Sequence, residues 1–291
     1  MVGDVVLGAA RVFRNRSAVL AESPFWDAGA LHWVEIDRGL LVVSPGDGAA
    51  DGSADRVLEL PAPLPCIQPA EGGGYVAALK DRVVLVDADG RIADELARVE
   101  LASDDMRLNE GKVDPQGGLF VGAMDKAQAD ADWYRVSGKG ARVQLAGFSI
   151  TNALEWSIDE RTVYLADTAV KTIYRAPWDP ETGPGELTVL HAGHAADGAV
   201  LDEDGCLWTA VNGEGIVLRL DPDGRELERA TVPAPGLTGM CFGGEDGSTL
   251  FVCSAREGMS DEDLARAPLS GAVFAIETAV RGRPLRRFRA V

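Results

Sequence analysis

The feature that most constrains this chain is a hydrophobic–aromatic triplet that recurs six times at nearly constant spacing. The triplets are Leu31-His32-Trp33, Gly74-Tyr75-Val76, Leu119-Phe120-Val121, Val163-Tyr164-Leu165, Leu207-Trp208-Thr209 and Leu250-Phe251-Val252. Their central residues step by 43, 45, 44, 44 and 43 positions, so the six units fill the 291 residues. A unit of roughly 40–50 residues with several short apolar runs has the period of a propeller blade. Helical solenoids have similar periods, but here the runs are strand-length and rich in Val, Ile, Tyr and Trp, and no long segment has helical periodicity. The unit from His194 to Gly224 shows the plan: three apolar runs separated by the turns Asp202-Glu203-Asp204-Gly205 and Asp221-Pro222-Asp223-Gly224.

The expected fold is therefore all-β: a six-bladed β-propeller with four antiparallel strands per blade. The even spacing leaves no linker, which predicts one domain over residues 1–291. A ring of blades must close without exposed edges, and Val5 to Phe13 is expected to add a strand to the last blade. Ala18-Val19-Leu20 also reads as a strand, and the acidic stretch from Gly258 to Ala267 as an exposed insertion. The polar, Ala-rich stretch from Met124 to Asp132 reads as a loop or a short helix.

The chain carries 28 basic and 46 acidic side chains, a net charge of −18, which repels phosphate backbones and anionic membranes. Neither nucleic acid nor a membrane is an expected partner. Cys66, Cys206, Cys241 and Cys253 lie in or beside apolar runs without CxxC spacing, as reduced core residues do. The apolar start Val5 to Ala10 is too short for a signal peptide or a span, so the expected location is cytoplasmic. The expected state is a monomer or a small homo-oligomer.

Counting back from the triplets brings scattered polar residues into one phase. Glu22 lies 10 before His32, Asn109 11 before Phe120, Asn152 12 before Tyr164 and Asp197 11 before Trp208. Arg107 and Thr238 each lie 13 before their markers. Taken singly, each is an ordinary turn, cap or surface residue. In a propeller, residues at one phase of successive inner strands share a height around the central channel, so together they predict a polar cluster at one mouth. Two ionised carboxylates there, Glu22 and Asp197, would repel each other and resist desolvation. A divalent cation resolves that conflict, and Asn152 adds a neutral oxygen. Oxygen donors suit calcium, magnesium or manganese; zinc and iron(II) complete the set of cations to test. Three protein ligands leave positions open, as at a catalytic metal. His191 and His194, three apart in a loop, are the weaker metal candidates.

At these residues the sequence resembles the regucalcin/gluconolactonase (senescence-marker-protein) family of six-bladed propeller lactonases over nearly its whole length. Leu20-Ala21-Glu22-Ser23-Pro24-Phe25-Trp26 is similar to the family's L-x-E-G/S-P-x-W, whose Glu binds the metal. Arg107-Leu108-Asn109-Glu110-Gly111-Lys112 resembles R-x-N-D-G-K, whose Arg and Asn hold substrate. Ile150-Thr151-Asn152-Ala153-Leu154-Glu155-Trp156-Ser157 resembles I-S-N-G-L-x-W-S, which supplies a metal-binding Asn. Ala196-Asp197-Gly198 matches P-D-G, whose Asp is both ligand and proposed base. The chain departs from these patterns at Glu110 (Asp), Ala153 (Gly) and Ala196 (Pro). Ala127 stands where some members place a substrate-binding Glu, and Asp125 is the nearest replacement.

The resemblance implies a metal-dependent lactonase that opens a sugar-acid (aldono-) lactone. It implies one divalent cation on Glu22, Asn152 and Asp197, Asp197 as base, and Arg107, Asn109, Glu110 and Asp125 toward the substrate. Two alternatives stand beside it: a related esterase or organophosphate hydrolase, and a propeller that binds metal without catalysis.

Overall fold

The computed structural model describes residues 7–127 and 130–289. Those residues form six antiparallel sheets in chain order, and each recurring triplet falls on or at the start of the second strand of its sheet. The third residue of every triplet (Trp33, Val76, Val121, Leu165, Thr209 and Val252) is wholly buried. That explains the regular spacing: one side chain per blade must reach the layer packed between neighbouring blades. The first strands are Ala21–Asp27, Cys66–Pro69, Arg107–Val113, Thr151–Trp156, Ala196–Leu201 and Leu237–Gly243. They contact one another in a closed cycle, which puts them around the central channel of a six-bladed β-propeller. Five sheets have four strands; the fourth blade carries in addition a small hairpin partner at Gly183–Pro184.

The ring closes as expected. Arg11–Asn15 pairs antiparallel with Ala272–Glu277 as the outer strand of the sixth blade, and Leu7 bridges Thr278. Val5 and Val6, also expected in that strand, lie outside the described residues. Ala18–Leu20 is not a strand. The Ala18 amide donates to Gly271 and Leu20 makes a single bridge to Ala255, so this run is used in joining blades, and the inner strand begins at Ala21. The expected insertion is a short helix, Asp261–Arg266, capped by Ser260 and Asp263, with no buried residue. After Met124 the Ala-rich stretch starts with a turn; Gln128 and Ala129 lie outside the described residues, and Ala131–Val136 is a strand.

A second tie runs across the face opposite the N-terminal ends of the inner strands. Gly282 bridges Asp202 of the fifth blade, and Arg283 donates to the Trp156 and Ser157 carbonyls of the fourth. Arg287 pairs with Asp27 of the first blade at 2.6 Å, and Phe288, fully buried, exchanges backbone hydrogen bonds with Pro69 and Glu71 of the second. Gly282 also donates to Gly247 of the sixth blade and Arg289 to Gly117 of the third, so the C-terminal segment straps all six blades together beneath the channel. All four cysteines are buried and unpaired by disulfides, as expected. No helix among the described residues is long and apolar enough to cross a membrane.

Candidate active site

Among the described residues, five of the six inner strands break register, between Glu22 and Phe25, Leu108 and Gly111, Asn152 and Glu155, Ala196 and Ala199, and Leu237 and Met240. Such a bulge leaves residues out of the ladder and re-aims their side chains. In four of the strands the displaced or adjoining residue is one of the phased polar set: Glu22, Asn109, Asn152 and Asp197. At Ser23 and Ala153 the bulge takes a positive φ, 49° and 50°. Close approach is needed as well: a Cβ on Gly198 would lie 2.7 Å from the Gly239 Cα, and one on Gly239 would lie 2.6 Å from Glu22 Oε2. Two glycines therefore let the strands bearing Asp197 and Glu22 converge.

The result is a cavity of about 210 Å³ at the N-terminal ends of the inner strands, lined by Glu22, Arg107, Asn109, Asn152 and Asp197. Its hydrogen bonds dictate how the amides face. Thr168 Oγ1 spends its single proton on the Ala196 carbonyl (2.6 Å), so it accepts from Asn152 Nδ2 at 2.8 Å. Asn152 Oδ1 is thereby turned the other way, accepting from Asn109 Nδ2 at 3.1 Å with a second lone pair to spare. Asn109 also donates to the Thr151 carbonyl and accepts from Arg107 at 2.5 Å, so clamp and amide form one network. Asp197 Oδ2 accepts from Asn212 at 3.0 Å. Such outer partners hold ligands in orientation.

The electrostatics show a site short of positive charge. Burial, then Asp197, then Glu110 push the Glu22 carboxyl well above its ordinary value. Burial likewise raises Asp197 to about 6, against the pull of Asn212, Glu22 and Arg107. Burial lowers the Arg107 guanidinium, opposed by surrounding carboxylates. No set of three His, Cys, Asp or Glu side chains able to hold a metal converges among the described residues; the third oxygen donor here is an amide. Two crowded carboxyls and one oriented amide oxygen fit a hard divalent cation.

That fit has a signed consequence. An Asp titrates at about 3.9 when unfolded, so folded Asp197 binds more protons between that pH and about 6. Its contribution to stability is complete below the unfolded value and lost as pH rises through the folded one. Chelator-treated protein is therefore expected to lose melting temperature relative to Asp197→Asn between pH 5 and 7. Added calcium or manganese should raise the wild-type melting temperature more at pH 7 than at pH 5. Equal shifts at both pH values would contradict a site shared by proton and cation.

Three expected residues lie elsewhere. Glu110 does not line the main cavity but the narrow passages beneath it, where burial raises its carboxyl to about 7 against Lys112. Asp125 accepts from the Ala127 and Asp130 amides, shaping its own loop. Thr238 is buried and donates to the Ala21 carbonyl at 2.6 Å, tying the sixth blade to the first. Conversely, Ile36, Met124, Thr168 and Asn212 line the cavity and had not been singled out. Each stands four residues beyond a triplet centre, so a second phase of the same repeat identifies them. His191 and His194 stack at 5.8 Å, and His194 contacts Glu214, away from this cavity.

Residues 20–256 match the family model described as the SMP-30/Gluconolactonase/LRE-like region. A 6-deoxy-6-sulfogluconolactonase from Pseudomonas putida is 36% identical over 279 residues, spanning 92% of this chain and 94% of that protein. The crystal structure of a calcium-binding protein, regucalcin, from Agrobacterium tumefaciens superposes with a TM-score of 0.88 at 31% identity, covering 97% of this chain and 98% of its own. A gluconolactonase structure from Xanthomonas campestris, 18% identical with a TM-score of 0.71 over 92% of this chain and 89% of that one, shares the fold.

Proposed function

Because the chain belongs to the SMP-30/gluconolactonase/LRE-like family, we propose that it is a divalent-metal-dependent lactonase that hydrolyses a sugar-acid lactone to the open-chain acid. The observation that carries this reading is the convergence, in one cavity, of two charge-crowded carboxyls, an oriented amide oxygen and the Arg107–Asn109 pair. Glu22, Asn152 and Asp197 would hold the cation. When bound, it supplies Lewis acidity toward a carbonyl oxygen.

The residues of the chain do the rest. Arg107 and Asn109, locked to each other, orient the substrate's hydroxyls or ring oxygen. Asp197, with one oxygen held by Asn212, takes a proton from water as the water oxygen adds to the lactone carbonyl carbon. The ring C–O bond then breaks, and the departing oxygen recovers a proton to leave a hydroxy acid. Burial raises Asp197 to about 6, which suits a base near neutrality, whereas a neighbouring cation pulls it down. Tight ligation and strong basicity thus oppose each other at this side chain.

The Arg107 clamp disfavours a purely metal-binding propeller, since a structural ion needs no substrate cation beside it. Arg107 and Lys126 both stand on the cavity wall, so lactones with an anionic group belong beside neutral ones in any substrate panel. The test is acid release from five- and six-membered sugar lactones by chelated enzyme with calcium, magnesium, manganese, zinc or iron(II) added back. Cation-dependent release above the spontaneous rate is the expected result. Silence on every lactone, from protein that demonstrably binds the cation, would overturn the reading and favour ester cleavage or simple binding.

A further inference from the structure

We infer that the channel's opposite mouth is a second small-molecule site, suited to a monocarboxylate with an apolar body. The N-terminal ends of the inner strands line the cation cavity; their C-terminal ends line another cavity of about 340 Å³. That size falls among ligand pockets of roughly 300–1,000 Å³. The C-terminal strap roofs it. Phe25, Trp26, Val200, Phe242 and Leu285 supply apolar wall, and Gln68, Lys112, Glu155, Arg283 and Arg286 the polar groups.

The charge balance favours an anion. Lys112 lies 3.1 Å from Glu155, Arg286 lies 3.0 Å from Glu160 and 3.6 Å from Glu155, and Arg283 lies 3.6 Å from Glu160. Three cations line the cavity against one carboxylate, Glu155; Glu160 pairs with both arginines from outside the lining, and Glu110 faces Lys112 from the narrow passage above. Lys112 is engaged by Glu155 and Glu110, which leaves the two arginines to meet a ligand, and a monoanion asks less of them than a dianionic phosphate. Lys112, Arg283 and Arg286 each keep about a fifth of their side-chain surface accessible, so their heads are not sealed away.

Gln68 supplies an independent sign. It is 7% exposed, lines the cavity, and its side-chain amide makes no hydrogen bond among the described residues. The amide atoms open onto the cavity rather than being sealed in the core, so a ligand can reach them. A carboxylate oxygen seated between Gln68 and the arginine wall gives that amide its acceptor. Between this site and the cation cavity the channel narrows to spaces of about 10 Å³, lined by Glu22 and Glu110. An acidic neck of that width separates an anion below from the reaction above, so the inference stands apart from the lactonase reading.

The test uses chelator-treated Asp197→Asn protein, in which the upper cavity offers a carboxylate no metal ion; Arg107 and Lys126 remain there, so the Arg286 and Gln68 variants decide which cavity is occupied. Benzoate and hexanoate, with benzylamine and benzyl alcohol as controls, are titrated by ligand-detected NMR and tryptophan fluorescence. Both carboxylates should bind saturably and benzylamine should not. Losing one charge-assisted contact in Arg286→Gln should weaken benzoate about tenfold, Arg286→Lys should restore most of that loss, and Gln68→Met should weaken it several-fold. Lactone hydrolysis by Arg286→Gln in the otherwise wild-type protein should not change. Absence of saturable binding, equal binding of benzylamine, or undiminished affinity in folded Arg286→Gln would overturn the site. Should that variant not fold, undiminished affinity in Gln68→Met does so.

Discussion

Asp197→Ala is expected to lower kcat/KM for lactone hydrolysis by at least about a thousandfold, a loss in the range of a general base removed, here with one proposed cation ligand removed as well. The same substitution should leave the chelated protein folded and no less stable, because it removes a carboxyl whose burial disfavours its charge and which raises Glu22 beside it. The decisive measurement pairs a pH-stat assay, at saturating cation, with a thermal melt of the same preparation. Loss of rate with an unchanged or raised melting temperature supports a working role. A folded Asp197→Ala with wild-type turnover would remove this residue from the site and, with it, the proposed proton transfer.

Asp197→Asn separates two roles that Ala confounds. The amide keeps an oxygen for a cation and the shape that Asn212 recognises, but it cannot take a proton. If cation affinity falls modestly while turnover collapses, proton transfer is the larger share. If both fall in proportion, Asp197 acts chiefly by holding the ion.

The ring was legible in the sequence because each blade must place one large or β-branched side chain at the same depth between its neighbours. That requirement writes a period of 43–45 residues that no turn or insertion in the chain disturbs. The polar cluster was legible for the same reason, as a phase of that period. The bulges were not, since skipping two residues in a ladder leaves no mark on local composition. They decide the direction of the side chain that follows, which is why Asn109 reaches the main cavity while its neighbour Glu110 lines the narrow passages below. Asp125 was misplaced by proximity in sequence: two backbone amides of its own loop claim its oxygens. The strap from Gly282 to Arg289 was invisible, for its contacts reach residues as distant as Asp27 and carry no periodicity.

Asp202, five residues beyond Asp197, is expected to show the reverse behaviour. Reading its Asp-Glu-Asp-Gly as a turn accounts for the amides of Asp204 and Cys206, which donate to Oδ1 at 3.0 and 2.9 Å. It does not account for Oδ2, which accepts from Trp208 Nε1 at 2.9 Å and Arg219 Nε at 2.8 Å in a fully buried setting. Arg219 also meets Asp204 and Glu228, so the turn, a core tryptophan and the third strand of the blade meet at one carboxylate. The third blade repeats the device with Asp114 and Arg135 at 2.6 Å. Removing one partner of a buried charge pair costs about 3–5 kcal/mol, which for a chain of this size lowers the melting temperature by on the order of 10 °C. Asp202→Ala should therefore unfold at markedly lower urea concentration, yet hydrolyse lactone at the wild-type rate per folded molecule, since Asp202 does not line the cation cavity. A stability loss below about 1 kcal/mol, the scale of an exposed pair, would mean that the carboxylate is not what holds Arg219 in the core. A folded variant with impaired turnover would instead mean that this outer turn governs the position of Asp197 at the far end of the same strand.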